Sequence, residues 1–598
     1  MTNFRSEKAK SESPAASQIE LPLYSPRRDD GLLVRFGACV AACALILWTG
    51  DSQSEGMIQV GPNLLQEMPT SVWSASETLA WRLWPLLALA AVQYAFILSC
   101  APLEAVNHDL ITVESCIARH PRRICAGIIG TALILSLLGV WDLRAFPNSG
   151  DEYSYLFGAR TFLAGRLWNP APENSQFFAT YHILIFSGKW VSKYEPGWAA
   201  ILAMGHRLGL PFWAVNPILG AALLALIVRT AWRYEGGLAA AVAAALIGLS
   251  PFYVFMTASY FNSISAAVFG ASFVYFALEY LERPRALPAL CAGAVLGALG
   301  LVRPFDVFIF ALPFAGALLL RNDRRGFAFA PLIVLGGCPF LGALLLYYDV
   351  VGGSPFVPLV KIYGPDLGLG LFPVLDSNGE VYGPGITFAE AVDQIVILVE
   401  WTSPMLVVLN AVAMIWRGRR KTLRFTDWIF SANVLLYMLH AGSGADQYGS
   451  RYYFESYPYF VLTIAAAADD LFRQRAGTRC CRIAAAAVLS HVAALSVNLV
   501  MLMCFMRPII DKRMDLYDQV EHDHLENAVV ILRSSLGTTD SSPSRNLTRN
   551  GIALSGSVIY ALDPGVALAA LKSMFPHRKF YVYDRAQGNQ RRTLRSLE

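Results

Sequence analysis

The sequence predicts a polytopic α-helical membrane protein with about thirteen transmembrane helices and a small extracytoplasmic α/β domain at its C-terminal end. Of the 598 residues, 55% are hydrophobic and 15% are charged, and the mean hydropathy is +0.44. A soluble domain of this size does not need so much apolar surface. Aromatic residues make up 12% of the chain, and the apolar residues come in long runs, which excludes disorder and coiled coils.

The long apolar runs predict the transmembrane helices one by one. A helix needs roughly 18 to 23 apolar residues to cross about 30 Å of hydrocarbon. Runs close to this length lie at about 32–50, 82–102, 123–143, 213–231, 237–256, 261–280, 287–303, 305–320, 328–348, 393–416, 426–442, 454–472 and 483–506.

The placement of basic residues predicts the orientation. Clusters of Lys and Arg recur in alternate connections, which the positive-inside rule assigns to the cytoplasm together with the N-terminus. The net charge of +4 gives no argument for binding nucleic acid. The ten cysteines all lie in predicted spans or cytoplasmic connections, so the outer face is expected to use no disulfides. The composition favours a bacterial plasma membrane.

These patterns divide the chain into four parts. The last part contains Val-, Ile- and Tyr-rich stretches that predict strands at Asn527–Arg533, Gly556–Asp563 and Arg578–Asp584, with a helix at Pro564–Met574. The four parts are a disordered cytoplasmic tail (1–31), two additional N-terminal transmembrane helices (32–122), a transmembrane module (123–506) with a catalytic outer loop at 144–212 and an outer loop at 349–392, and the extracytoplasmic α/β domain (507–598).

The loop at 144–212 is too long to be a simple turn, and long loops often carry function. Residues 151–166 show a helical pattern expected of a helix lying on the membrane surface. A short apolar stretch at 196–210 is expected to be re-entrant or interfacial. Asp151 and Glu152 follow the turn and cap signature Asn148-Ser149-Gly150. These two acids would therefore open a helix at the hydrocarbon boundary, where a lipid-borne substrate presents its head group.

Several motifs, taken in order, resemble the GT-C membrane glycosyltransferases, in particular the bacterial aminoarabinose, protein O-mannosyl and lipopolysaccharide-core sugar transferases. The resemblance covers roughly 123–475. Members of this family often carry a Lys-Pro-Pro type stretch where this chain has Lys193-Tyr194-Glu195-Pro196. The motifs are Asp151-Glu152-Tyr153-Ser154-Tyr155, Lys193-Tyr194-Glu195-Pro196-Gly197-Trp198, Ser250-Pro251-Phe252-Tyr253, Ser259-Tyr260-Phe261-Asn262, Leu301-Val302-Arg303-Pro304 and Gly449-Ser450-Arg451-Tyr452-Tyr453-Phe454-Glu455.

The resemblance implies transfer of a sugar from a polyprenyl-phosphate donor to an acceptor hydroxyl at the outer face. Asp151 is the candidate base that takes the hydroxyl proton. Glu152 is expected to orient the acceptor or, if a divalent metal is used, to share it with Asp151. The leaving phosphate needs cations at the lipid boundary. Arginine is suited to this role, because it can bind two phosphate oxygens at once. The predicted phosphate-binding residues are Lys193, Arg303 and Arg451.

Further residues are expected to line the same cavity. Glu400 lies about a third of the way into the predicted span 393–416, and acids inside a membrane are costly enough to suggest function. His182 and His440 lack paired metal-ligand spacing. The cavity candidates are Tyr153, Tyr155, Glu400, Asp446 and Tyr448.

The residues leave two other functions open. A transporter or flippase for a lipid-linked or polar solute would place charges near the membrane midplane and show broken helices or internal repeats. A noncatalytic scaffold would explain the C-terminal domain but not the loop with Asp151. The acceptor can be a glycan, a lipid or a protein, and the sequence does not identify the sugar.

Overall fold

The chain is described by a computed structural model and is mostly helical. The predicted tail at 1–31 lies outside the described part of the chain. The described residues are 34–43, 72–102, 112, 115–117, 119–321, 327–364, 368–369, 374–375, 381–382, 384–441, 448–475, 478–533, 550–563, 568–585 and 592–597.

Helices follow most of the apolar runs. Proline stands in the first turn of several of them, where its missing N–H leaves no hydrogen bond unmade. The longer helices are Val72–Cys100, Pro121–Asp142, Gly150–Leu163, Pro196–Arg207, Phe212–Tyr234, Gly237–Gly248, Pro251–Ala258, Ser263–Glu282, Ala286–Val302, Asp306–Arg321, Ala330–Gly352, Pro384–Glu400, Pro404–Arg420, Ile429–Tyr437, Tyr457–Arg475 and Arg479–His522.

Five helices in the described part of the chain are long and apolar enough to cross a membrane, or seven spans if each of two bent helix pairs counts as one. Shorter apolar helices, Val34–Cys43, Pro85–Cys100 and Ala286–Val302, lie in other predicted spans. The total of about thirteen spans therefore stays a prediction.

The run at 393–416 does not form the single continuous helix that its hydropathy predicts. Helix 391–400 and helix Pro404–Arg420 meet at 110°. Pro404 begins the second helix, and the residue before it, Ser403, has an extended backbone, because proline disfavours a helical conformation in the residue that precedes it. Glu400 is consequently the last residue of a helix and lies beside a break.

Glycines allow two helices of the bundle, Ala286–Val302 and Ala330–Gly352, to pack with their backbones in contact. A Cβ atom at Gly293 would collide with the carbonyl group of Ile333. One at Gly336 would collide with the carbonyl group of Leu290. Small residues at such crossings are typical of membrane helices, which associate through close backbone approach.

The Asp151 helix (Gly150–Leu163) lies at the predicted position but is buried almost all round, since residues 150–159 and Thr161 are all buried. The helix therefore lacks the polar, exposed face that was expected of a helix lying along the membrane surface. Its short polar side chains are satisfied inside the protein, as when Ser154 donates to the backbone oxygen of His182 at 2.6 Å. An antiparallel hairpin, Ile183–Phe186 with Lys189–Ser192, packs beside it.

The last helix, Arg479–His522, continues 16 residues past the predicted span end at 506. We call it the long helix. Its C-terminal part contacts a four-stranded sheet, the tail sheet, whose strand order is Arg592–Ser596, Lys579–Arg585, Ala528–Leu532 and Val558–Leu562. The first pair is antiparallel and the others are parallel. The strand Arg592–Ser596 is absent from the sequence prediction.

The tail sheet packs against the loop that carries Asp151. Val529 and Ile531 of its central strand lie in one apolar cluster with Phe157 of the Asp151 helix and Trp190 of the hairpin. Because these side chains are buried together, the tail sheet and the loop share one apolar core.

We predict that Gly293→Ala destabilises the protein, because the added methyl group must push the two helix backbones apart. Overpacking of this kind typically costs about 1–3 kcal/mol. Thermal unfolding in detergent should show a lower midpoint for Gly293→Ala. Gly342→Ala is the matched control on the neighbouring helix, since nothing lies within 4 Å of its added Cβ atom. Equal midpoints for the two variants would contradict the proposed role of Gly293.

Candidate active site

Asp151 lies in the first turn of its helix and its side chain turns into the protein. Ser149 caps the helix by accepting a hydrogen bond from the backbone N–H of Glu152 at 3.2 Å. Gly150 allows the close packing, because a Cβ atom there would lie 2.8 Å from the ring of His182. As a result Asp151 is only 7% exposed.

The carboxylate of Asp151 is surrounded by basic and hydroxyl groups from distant parts of the chain. Nη1 of Arg451 lies 2.5 Å from its Oδ2 atom. The hydroxyl of Tyr194 donates to Oδ1, and Nε2 of His182 lies 3.5 Å from the same oxygen. Burial by itself would raise the pKa of Asp151, but the charges of Arg451, His182 and Lys193 outweigh it and hold the pKa below its usual range.

Arg451 reaches Asp151 from the short 3₁₀ helix Arg451–Tyr453, which precedes the helix Tyr457–Arg475. Its guanidinium carbon lies 4.8 Å from the ring centre of Phe261 and 5.5 Å from that of Tyr452. Aromatic faces hold a guanidinium group in a fixed plane and stabilise its charge. The ion pair thus places Arg451 next to Asp151, and the roles of the two residues stay predictions.

Lys193 directly follows the second strand of the hairpin and is a further basic residue near Asp151. It is 7% exposed, and its ammonium group lies 4.5 Å from the ring centre of Tyr363 and 5.0 Å from that of Tyr194. Burial lowers the pKa of Lys193 to about 8, and the nearby charge of Asp151 acts in the opposite direction. This amine can therefore lose its proton at mildly alkaline pH.

Arg303 lies near Arg451, but its charge is already compensated. Asp306 binds its Nε atom at 2.9 Å and Glu455 binds its Nη1 atom at 2.5 Å. Its guanidinium carbon is 5.3 Å from the ring centre of Tyr452, the same ring that Arg451 approaches. Both arginines therefore approach one tyrosine ring, while two carboxylates hold Arg303 in place.

Glu152 points away from the cations and binds the backbone. One carboxylate oxygen accepts from the N–H of Tyr260 at 2.9 Å, and the other accepts from the N–H of Asn148 at 2.7 Å. Burial raises the pKa of Glu152 to about 7, although these two N–H groups act in the opposite direction. The contacts favour a structural role, tying the start of the Asp151 helix to the segment around Tyr260.

The remaining cavity candidates are placed differently. Tyr155 lies at the site, with its ring centre 4.5 Å from that of Tyr194. Tyr153 packs instead against Phe146. Tyr448 is buried against two phenylalanines, and the carbonyl oxygen of Glu400 accepts from Asn498 at 2.7 Å. Asp446 lies outside the described residues.

A metal site is not supported by the side chains around Asp151. Within the part of the chain that the structure describes, no three His, Cys, Asp or Glu residues are grouped so that they could hold a metal ion. Arg451 and Tyr194 occupy the oxygens of Asp151, and backbone N–H groups occupy those of Glu152. The positive charges that already surround Asp151 disfavour the binding of a metal cation there.

Three residues at the site were not among the sequence candidates for catalysis or phosphate binding. Tyr194 and His182 contact Asp151 directly. Glu195 lies beside them and accepts a hydrogen bond from the hydroxyl of Tyr348 at 3.2 Å. Tyr194 and Glu195 belong to a motif that carries the family resemblance, so the signal was present. No spacing pattern in the sequence connects His182 with Asp151.

Comparison with solved structures finds similar chains. The ArnT of Cupriavidus metallidurans bound to undecaprenyl phosphate is 12% identical, with a TM-score of 0.46 over 77% of this chain and 92% of that chain. Its apo form is 13% identical, with a TM-score of 0.48 over the same shares of 77% and 92%. An oligosaccharyltransferase of Archaeoglobus fulgidus, tethered to an acceptor peptide, is 13% identical, with a TM-score of 0.39 over 72% and 63%.

No protein-family model matches the chain, and no curated protein matches its sequence. Because the three TM-scores lie below 0.5, the functional argument rests on the geometry of the chain itself.

We predict that Glu152→Ala lowers stability more than Glu152→Gln, because alanine leaves two buried N–H groups without an acceptor and glutamine can still accept one of these bonds. Each unbonded buried group costs about 1–3 kcal/mol. Thermal unfolding of the purified variants measures the order. Glu173→Gln, at an exposed acid of the same loop, serves as the control. If Glu152→Ala unfolds at the temperature of the control, Glu152 does not tie the two segments together.

Proposed function

We propose that this protein is a glycosyltransferase of the plasma membrane. It moves a sugar from a polyprenyl-phosphate donor to an acceptor hydroxyl on the outer face, with inversion at the anomeric carbon. The observation that carries the proposal is the buried ion pair between Asp151 and Arg451, which lies beside Lys193. Such a reaction needs a carboxylate that acts as the base and cations that stabilise the leaving phosphate.

The cations suit a phosphate that leaves with negative charge. Arg451 offers a planar fork for two oxygens, and Lys193 adds a compact charge. Arg303, in contrast, is held by two carboxylates, those of Asp306 and Glu455. We therefore assign the donor phosphate to Arg451 and Lys193, and we assign to Arg303 the task of holding the segment around Tyr452 in place.

The carboxylate of Asp151 suits the base. It is ionised at neutral pH, because the surrounding cations hold its pKa low, and it is shielded from bulk water. When an anionic phosphate binds Arg451 and Lys193, it neutralises part of this positive charge. The affinity of Asp151 for a proton then rises, so the base becomes stronger when the donor is present.

A cleft next to Asp151 suits the lipid part of the donor. Its lining includes Tyr155, Phe162, Leu167, Tyr194 and Tyr347. Tyr347 belongs to the helix Ala330–Gly352, on which Val334, Leu335 and Leu346 are exposed. Exposed aliphatic side chains on a helix this apolar are expected to face lipid, so we expect lipid beside the helix that lines this cleft.

The outer-face orientation is part of the same proposal. It places the N-terminus in the cytoplasm and the Asp151 helix and the tail sheet outside it. The acceptor can be a glycan, a lipid or a protein. The transporter alternative is less well supported, because the charges gathered at Asp151 come from connecting segments and not from the two breaks between bent helices.

We predict that Asp151→Asn lowers sugar transfer by about 10²–10⁴-fold, the usual effect of losing a general base. Asparagine keeps the size of the side chain but removes the charge that faces Arg451, so thermal unfolding must first show that the purified variant is folded. Proteoliposomes that contain polyprenyl phosphates carrying a labelled hexose or pentose measure loss of label from the lipid. Glu173→Gln, on the exposed part of the loop, is the control and should transfer at the unmodified rate.

Two results would contradict the assignment. Full transfer by Asp151→Asn would remove the proposed base. Movement of the intact lipid-linked sugar across the membrane without transfer would favour the flippase.

We predict that binding of undecaprenyl phosphate weakens as the pH rises above about 8, because Lys193 loses its proton there while the lipid phosphate, with its second pKa near 6, keeps its charge. Losing one charge-assisted hydrogen bond should weaken binding by about tenfold or more. Binding to the full chain in nanodiscs, measured from pH 7 to 9.5, tests this. Lys193→Arg should bind equally over this range, and a pH dependence that persists in this variant would exclude Lys193 as its source.

A further inference from the structure

The two oxygens of Asp151 have different kinds of partner. Oδ2 contacts Arg451, which under the proposed function also binds the donor phosphate. Oδ1 contacts Tyr194 and His182, which belong to the same loop as Asp151. An incoming phosphate competes for Arg451 and therefore loosens the contacts of Oδ2, while those of Oδ1 can stay in place.

The backbone of His182 is held in an unfavourable conformation that brings its ring to Asp151. Its φ angle is 64°, in the left-handed region that residues other than glycine seldom adopt. Two hydrogen bonds fix this conformation, since its carbonyl oxygen accepts from the hydroxyl of Ser154 at 2.6 Å and from the backbone N–H of Lys193 at 3.1 Å. Strained backbone kept in place by its surroundings is typical of functional sites.

The ring of His182 is confined as well. Tyr363 lies 5.4 Å and Tyr194 lies 6.1 Å from it, centre to centre. On the side of the Asp151 helix, the absence of a side chain at Gly150 leaves room for the ring, which a Cβ atom there would approach to 2.8 Å. The ring therefore has little freedom to turn away from Asp151.

Tyr194 is fixed by separate contacts. Its backbone N–H donates to the hydroxyl of Ser192 at 3.3 Å, and its ring packs at 4.5 Å from that of Tyr155. The two groups that hold Oδ1 are thus each positioned by their own neighbours, without help from Arg451.

We propose that His182 and Tyr194 are positioning residues that anchor Oδ1 of Asp151, and that Oδ2 is the oxygen that acts as base once the donor phosphate engages Arg451. This inference rests on the proposed function. In the step, the O–H bond of the acceptor breaks and its proton goes to Oδ2. The acceptor oxygen bonds to the anomeric carbon, and the carbon–oxygen bond to phosphate breaks, with its electron pair leaving on the phosphate.

The test compares two substitutions of His182 that differ in reach. Glutamine places an amide N–H near the position of Nε2, which faces Asp151. Asparagine tolerates a left-handed backbone better but ends near the position of Nδ1, so it keeps the fold and loses the contact. His182→Asn should lower kcat for transfer on the order of 100-fold, as expected when a reacting group is misplaced by about 1 Å. His182→Gln should recover most of this loss.

Tyr194→Phe is a second, independent variant, because it keeps the ring and removes only the hydroxyl. It should also lower kcat. Binding of undecaprenyl phosphate and the KM for the labelled donor should change less than about twofold in all three variants, since the cations stay in place. Thermal unfolding confirms that each variant is folded.

The outcomes separate this inference from the function on which it rests. Normal kcat in both His182→Asn and Tyr194→Phe would overturn the inference, and so would equal losses in His182→Asn and His182→Gln or a loss seen only in donor binding. Asp151→Asn decides the proposed function independently. If that variant transfers normally, the function itself fails; if it is inactive while His182→Asn and Tyr194→Phe are normal, only the anchoring role fails.

Discussion

The candidate site depends on one ion pair, which joins the first turn of the Asp151 helix to Arg451, 300 residues farther along the chain. A buried charge is costly unless a partner compensates it. Asp151 and Arg451 therefore fix each other's position, and with it the relative position of the loop and the helix that begins at Tyr457. Lys193 and His182 also lie near this carboxylate and help to lower its pKa.

A second set of contacts joins the loop to the long helix. Arg513 of the long helix donates to the backbone oxygen of Asn148 at 3.1 Å, and the N–H of Asn148 binds Glu152. Arg144 binds Asp518 of the same helix at 2.8 Å. The extension of the long helix past the predicted span end is thus what supports the turn that presents Asp151. The polar groups of this turn are satisfied inside the protein, as buried polar groups require.

The charges divide into two groups with different environments. Around Arg303, the two acids Asp306 and Glu455 give a compensated network that holds structure. Around Asp151, the carboxylate contacts Arg451 and His182, and Lys193 lies near the charges of both Asp151 and Glu195. Arg303 is bound by two carboxylates and Arg451 contacts Asp151, and we propose different tasks for the two arginines on that basis.

The sequence by itself determined the apolar helices and the position of the Asp151 helix, because hydropathy and capping residues are local signals, and the family resemblance singled out Asp151 and Arg451. Tertiary structure decided the rest. It turned Glu152 to the backbone, surrounded Arg303 with acids and brought His182 to Asp151 through a strained backbone. These outcomes depend on contacts between residues far apart in the chain, and burial sets the energy of each charge only after the helices have packed.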